Sequence, residues 1–254
     1  MFFFVCILLY ILPLYTICKK WFKSYWFYAF IFLIASLSFW TYGVNGIRNG
    51  IAGSLLLMGM SRVKLSNQII FIVLAIGFHK SMLLPALGFL ITQFYNKPKV
   101  FFIFWLLSIP LSLISGGFWE NYFSGLNIVD DDRLRYLTTA TESGAFRYSG
   151  FRWDFLLYSA SAVFAGWYYI VKKEFNDKFY WRLFNTFVFA NAFWILVIRA
   201  NFTNRFAYLS WFMMALVIVY PLLKQNLILN QHRKIGFILM GYFMFTYVFN
   251  FLLK

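Results

Sequence analysis

The sequence predicts an all-α fold, a polytopic helical bundle held in a membrane, on three observations. Of 254 residues, 62% are hydrophobic and 24% aromatic, while only 12% are charged. A soluble domain carries about a quarter charged residues, and so many Phe, Trp and Tyr cannot be hidden from water in a fold of this size. The apolar residues also fall in runs suited to crossing a bilayer. Finally, 23 Lys and Arg stand against 8 Asp and Glu, a net +15, and basic residues in inner loops are what orient multispanning proteins. These observations exclude a soluble enzyme, a nucleic-acid-binding domain and a disordered tail. The lipid bilayer is the first expected partner, and no nucleic acid is expected.

A crossing takes about 20 residues plus a connection, so the length allows roughly ten. Apolar segments run over 2–18, 25–42, 47–60, 68–78, 81–95, 100–115, 154–171, 179–198, 206–223 and 235–253, within one membrane domain spanning 1–254. Helices are expected because isolated strands leave their backbone unsatisfied in lipid. The first segment carries Cys6 and Cys18, about 18 Å apart along a helix, so they cannot pair and are read as buried small hydrophobes. No basic residue precedes it and no cleavage site follows, whereas Lys19 and Lys20 come directly after it. The N-terminus is therefore placed outside, and a further segment before Phe2 is expected. The third to fifth segments are only about 17 to 23 Å long and must tilt, extend or stop midway across a ~30 Å core. The fourth and fifth are read as a hairpin with His79-Lys80-Ser81 at its outward tip; the alternative is one kinked crossing with His79 and Lys80 midway. A long hydrophilic outer loop, about 116–153, holds Asp130-Asp131-Asp132, Arg133, Arg135, Glu142, Arg147 and Arg152. Such a length is more often functional or disordered than idle. Three consecutive aspartates splay, so a hydrated loop is expected there rather than a cation site. Neither a metal nor a cofactor is expected.

Under alternating traversal, fourteen of the 23 basic residues fall in five short loops on one side, which marks that side as inner. Eleven of thirteen Lys are inside, yet seven of ten Arg are outside. Orientation accepts either residue and does not predict this split. An outer face that keeps Arg while shedding Lys suggests planar, bidentate recognition of phosphate or carboxylate.

The outer residues share a depth. Arg48 opens the third segment, Arg152 and Asp154 flank the seventh, Arg199 ends the eighth, Arg205 begins the ninth, and His79 and Lys80 cap the hairpin. Each charge near membrane depth costs about 2.5–3.5 kcal/mol on insertion scales. Taken singly, an Arg at a helix end snorkels to the headgroups, His79 is a packing residue, and Asp154 beside Arg152 is an ion pair. Taken together, they indicate one outward site.

At these residues the chain resembles the EpsG family of bacterial polysaccharide polymerases, the Wzy-type O-antigen and exopolysaccharide polymerases. The resemblance rests on Gly46-Ile47-Arg48-Asn49-Gly50-Ile51-Ala52, Ala75-Ile76-Gly77-Phe78-His79-Lys80-Ser81, Gly150-Phe151-Arg152-Trp153-Asp154-Phe155, and Asn204-Arg205-Phe206-Ala207-Tyr208 followed by Tyr220-Pro221. The family usually has Arg or Gln where Asn49 stands, and usually has upstream crossings with a Gly-x-Asp outer motif. None precedes Phe2 here, so the resemblance points to an N-terminally truncated member.

The resemblance implies transfer of a glycan from undecaprenyl diphosphate onto the next lipid-linked repeat unit, at the outer face of the bacterial inner membrane. It implies an undecaprenyl-diphosphate-linked oligosaccharide as substrate, and a chain-length regulator or flippase of the same pathway as a partner. Arg48, Arg152, Arg199 and Arg205 are then expected to hold the diphosphate, with His79 or Asp154 near the acceptor hydroxyl as base. The competing readings are a transporter or flippase for lipid-linked sugars, a membrane acyltransferase resting on His79 alone, and an inactive remnant. A flippase needs charges at mid-membrane and a cavity reaching both faces, whereas the charges here gather at one side.

Overall fold

The computed structural model describes residues 1–115, 117–125 and 150–252. Among them are twelve α-helices and no strand: α1 (Phe2–Phe22), α2 (Trp26–Ile34), α3 (Leu37–Asn45), α4 (Ile47–Met60), α5 (Leu65–Phe78), α6 (Leu83–Phe94), α7 (Pro98–Ser115), α8 (Phe118–Gly125), α9 (Trp153–Trp167), α10 (Lys178–Leu196), α11 (Thr203–Lys224) and α12 (Gln231–Tyr247). Four stretches are long and apolar enough to cross a membrane, namely Phe2–Ile34, α7, α11 and Gln231–Phe251. The chain is an all-α, multi-pass membrane protein.

The central post is α11. Its whole apolar stretch is buried, against 28% of that of α7 and 17% of that of Gln231–Phe251. A helix apolar all round belongs in the interior, while the half-bare helices around it present their side chains to lipid. Lipid tails supply no hydrophobic drive between helices, so polar side chains tie the bundle together. Asn191 of α10 accepts from the Trp105 indole at 2.7 Å and donates to Ser159 Oγ at 3.1 Å and Ser210 Oγ at 3.0 Å. The Trp211 indole closes this knot on Ser159 at 2.6 Å. Four helices (α7, α9, α10 and α11) thus meet at one buried amide.

The second apolar segment, expected to be continuous, breaks between α2 and α3. Ser36 starts α3 as its cap, its hydroxyl accepting from the Phe39 N–H at 3.3 Å. The interrupted Ala35 carbonyl accepts from Thr246 of α12 at 2.7 Å. The break therefore leaves no orphan there and fastens the last helix to the bundle.

Close contacts define chain direction. α6 runs antiparallel to α10, since a Cβ at Gly88 would meet Phe189 while Asn96 accepts from Asn185. α10 is antiparallel to α11, with Tyr180 donating to the Val217 carbonyl and Trp194 to Thr203. α4 runs alongside α11, Gly53 lying against Phe212, and α5 returns along α4, Gly59 lying against Gln68 and Ile72. Hence α5 ascends and α6 descends, so the chain reverses at His79, the hairpin rather than the kinked crossing. Five connections meet at the opposite, lysine-rich end: Lys20 donates to the Ser61 carbonyl, Trp21 packs on Phe179 and Tyr220, Asn96 donates to the Lys178 carbonyl, and Tyr25 faces His232.

The stretch expected to be a loop from 116 opens with helix α8 instead. Asp130–Asp132, Arg133, Arg135, Glu142 and Arg147 lie outside the described residues.

Candidate functional site

The arginine-rich end is organised by the turn between α10 and α11. α10 unwinds through short-range bonds, Val197 to Trp194, Ile198 to Ile195 and Ala200 to Val197. The Trp194 indole then donates across the turn to Thr203 Oγ1 at 2.8 Å. Phe202 takes a left-handed conformation with φ 52°, rare for a bulky residue and costing about 1–3 kcal/mol. The strain re-aims the chain so that α11 starts immediately, with Arg205 in its first turn. The Arg205 guanidinium lies 4.7 Å from the Phe202 ring centre.

Arg199 projects from the same turn toward α7. Its Nη1 donates to the Ser112 carbonyl at 2.6 Å. That carbonyl belongs to the last four of α7, which have no partner within the helix, and a cation there also suits the helix dipole. The Phe151 ring lies 5.3 Å from the same guanidinium. Glu120 of α8 faces Arg199 as well. It is 5% exposed, and neither carboxylate oxygen has a hydrogen-bond partner among the described residues. Burial pushes the Glu120 pKa up; its own backbone N–H, then the Arg199 charge and backbone N–H, pull it back only in part.

Next to Phe151 in the chain, Arg152 grips Asp154 through two parallel bonds, Nε to Oδ1 at 2.9 Å and Nη2 to Oδ2 at 2.6 Å. The guanidinium also lies 3.7 Å from the Phe155 ring centre. Arg152 and Arg199 thus both lie at this end of the bundle, Arg199 over the ring of Phe151 and Arg152 over that of Phe155. Arg48 sits apart in the first turn of α4, exposed, with no hydrogen bond, ion pair or ring contact among the described residues. α4 is nonetheless bound to the same end, since Gly50 packs on Tyr42 and the Tyr42 hydroxyl donates to the Tyr208 carbonyl at 3.0 Å. His79 lies at the hairpin tip, where Nδ1 accepts from the Ser81 N–H at 3.3 Å and pairs with Ser81 Oγ at 2.7 Å. It starts the 3₁₀ turn into α6 as a cap.

The EpsG family model matches residues 1–254, the whole chain. The chain belongs to the EpsG family. No curated protein and no solved structure matches it. Family membership implies a role of the polysaccharide-polymerase type in a membrane.

In this EpsG-family chain the stretches around Arg48, His79, Arg152 and Arg205 open α4, end α5, open α9 and open α11, all at the arginine-rich end. Tyr220-Pro221 lies in the last turns of α11, at the lysine-rich end. Sequence reasoning missed Glu120, which it left inside a hydrophilic loop. The available signal was one acid among Phe118, Trp119, Tyr122 and Phe123, a setting in which a helix would bury it.

Proposed function

We propose that this EpsG-family protein is a polysaccharide polymerase of the bacterial inner membrane. It moves a growing glycan from undecaprenyl diphosphate onto the next lipid-linked repeat unit at the outer face. The observation that carries this reading is the gathering of directed guanidinium groups at the end opposite the lysines, with Arg199 fixed on the Ser112 carbonyl and the Phe151 ring and the next residue along, Arg152, gripped by Asp154. Transfer leaves a diphosphate whose negative charge grows as the sugar departs, and fixed guanidinium forks stabilise such charge most when they are already in place. Arg199 and Arg152 are the inner pair in this scheme, while Arg205 and Arg48 attract and orient the phosphates from the rim. His79 serves the turn it caps, and Asp154 holds the Arg152 fork in plane. Gathering of arginine at one end favours a transferase working at one face over a flippase. A chain-length regulator or flippase of the same pathway fits as its partner.

The test is complementation of a polymerase-deficient strain with Arg152→Ala, Arg199→Ala and Arg205→Ala, at matched expression, with the polymer ladder run on a gel. Arg152→Ala and Arg199→Ala are expected to abolish long chains, and Arg205→Ala to shorten them. Undiminished ladders from all three sink the reading. With purified protein and lipid-linked repeat units, polymer growth without a gradient supports transfer, whereas movement without elongation favours the flippase.

A further inference from the structure

We infer that Glu120 is the general base of this transfer, the group that takes the proton from the acceptor sugar hydroxyl. The inference rests on the polymerase reading and goes beyond it by assigning a residue that the matched stretches do not contain. Three groups at the arginine-rich end have the chemistry. Asp154 is spent, both of its oxygens being held by Arg152. His79 has Nδ1 engaged by Ser81 at the start of α6. Glu120 differs from both: it is 5% exposed, and among the described residues neither of its oxygens accepts a hydrogen bond. A buried carboxylate without partners is costly, and the acceptor hydroxyl supplies the missing bond when it arrives.

Placement supports the role. α8 folds over the end of the bundle, with Phe123 against Phe193 of α10 at 4.7 Å and Trp119 stacked on Phe123. This packing wedges Glu120 toward Arg199, one of the two arginines proposed to hold the leaving diphosphate. Base and leaving-group clamp then lie at the same end of the bundle, where they can serve opposite faces of a single anomeric carbon. In that step the acceptor oxygen bonds to the anomeric carbon of the donor glycan. The bond from that carbon to the diphosphate oxygen breaks, and its electron pair leaves with the lipid diphosphate. The hydroxyl proton passes to the Glu120 carboxylate and from there to water. No oxidant, reductant or metal is needed for the balance.

The pKa of Glu120 is raised by burial, toward the range in which a base works best near neutral pH. The charged group facing it from the turn after α10 is Arg199. The end of α7 (109–115) and the end of α10 (193–196) carry no titratable side chain, and the charged groups at the start of α9 are Arg152 and Asp154, joined as an ion pair. A base must be ionised, so activity should fall as pH drops through the raised value, at a higher pH than for an ordinary glutamate.

The experiment uses the purified full chain, with a lipid-diphosphate-linked repeat unit as both donor and acceptor. Glu120→Gln is expected to lower kcat about 100-fold or more, leave KM within about twofold of wild type, and abolish the acidic limb of the pH profile. Glu120→Asp should retain part of kcat and shift that limb. Full kcat in Glu120→Gln overturns the assignment. So does a raised KM with a lowered melting temperature and an unmoved acidic limb, the pattern of a residue that only braces Arg199. If Arg199→Ala is dead while Glu120→Gln elongates normally, the base is wrong and the polymerase reading stands. If both elongate as wild type does, both fail.

Discussion

The two ends of the bundle carry the same sign of charge and hold it differently. At the lysine-rich end the ammonium groups rest on aromatic faces: Lys19 lies 4.2 Å from the Trp26 ring centre, Lys97 5.3 Å from Tyr95, Lys173 5.6 Å from Tyr168 and Lys224 5.3 Å from Tyr220. Lys20 adds a bond to the Ser61 carbonyl. At the arginine-rich end the guanidinium groups are fixed in direction, two bonds tying Arg152 to Asp154 and one tying Arg199 to the end of α7. An ammonium is a point charge on a flexible stem, sufficient to mark an inner face. A guanidinium fork is directional, which matters only where the object recognised is planar or multiply charged. On the proposed function, one end orients the protein and the other holds the diphosphate.

The sharpest way to break this contrast keeps the charge and removes the fork. Arg199→Lys is expected to cost about 100-fold in polymer elongation, equivalent to ~2.7 kcal/mol of transition-state stabilisation. Lys19→Arg and Lys224→Arg should leave elongation unchanged. Rates from purified protein decide it: a fully active Arg199→Lys means that charge alone matters at both ends.

The next effect separates the halves by stability. A Cβ at Gly166 would overlap the ring of Phe184, which is itself 1% exposed. Gly166→Ala should therefore destabilise by about 1–3 kcal/mol, the usual cost of overpacking, and lower the melting temperature. Because Gly166 lies in the lysine half of α9, elongation per folded molecule should hold. A smaller loss is expected at the knot that joins both halves. Asn191→Ala orphans the Trp105 indole and should cost about 1–2 kcal/mol in membrane, read as a lowered melting temperature together with looser docking of α7.

The difference between the ends was partly visible in the amino-acid order. The apolar runs placed the apolar helices, and the Lys/Arg split singled out the end with the arginines, because both depend on local pattern and charge. The reversal at His79 was readable for the same reason: two polar residues interrupt an apolar run. The pairing of Arg152 with Asp154 is also local, two positions apart. The break at Ser36 escaped because a serine inside an apolar run also fits a continuous helix, and the deciding partner, Thr246, lies 211 positions from the Ala35 carbonyl it binds. Which helices stand beside α4, and so which residues neighbour Arg48, was not legible because lateral position in a bundle depends on packing, which depth alone does not report. Glu120 escaped because α8 spans only eight residues, Phe118–Gly125, too short to show a helical period.

The smallest effect is the one that isolates orientation from catalysis. Lys19→Gln removes a contact with Trp26 worth about 0.5–1 kcal/mol at an exposed site, and Lys20 and Lys23 stand beside it to keep the local charge. Elongation and melting temperature should therefore barely move. Replacing Lys19, Lys20 and Lys23 together should instead leave part of the population with reversed topology, seen as altered labelling of a cysteine introduced at Asn230. Elongation should then fall in proportion to the reversed fraction, with the rate per correctly oriented molecule intact. A fall in that per-molecule rate would mean that these lysines, like the arginines opposite, take part in holding the substrate, and the division of labour between the two ends would be lost.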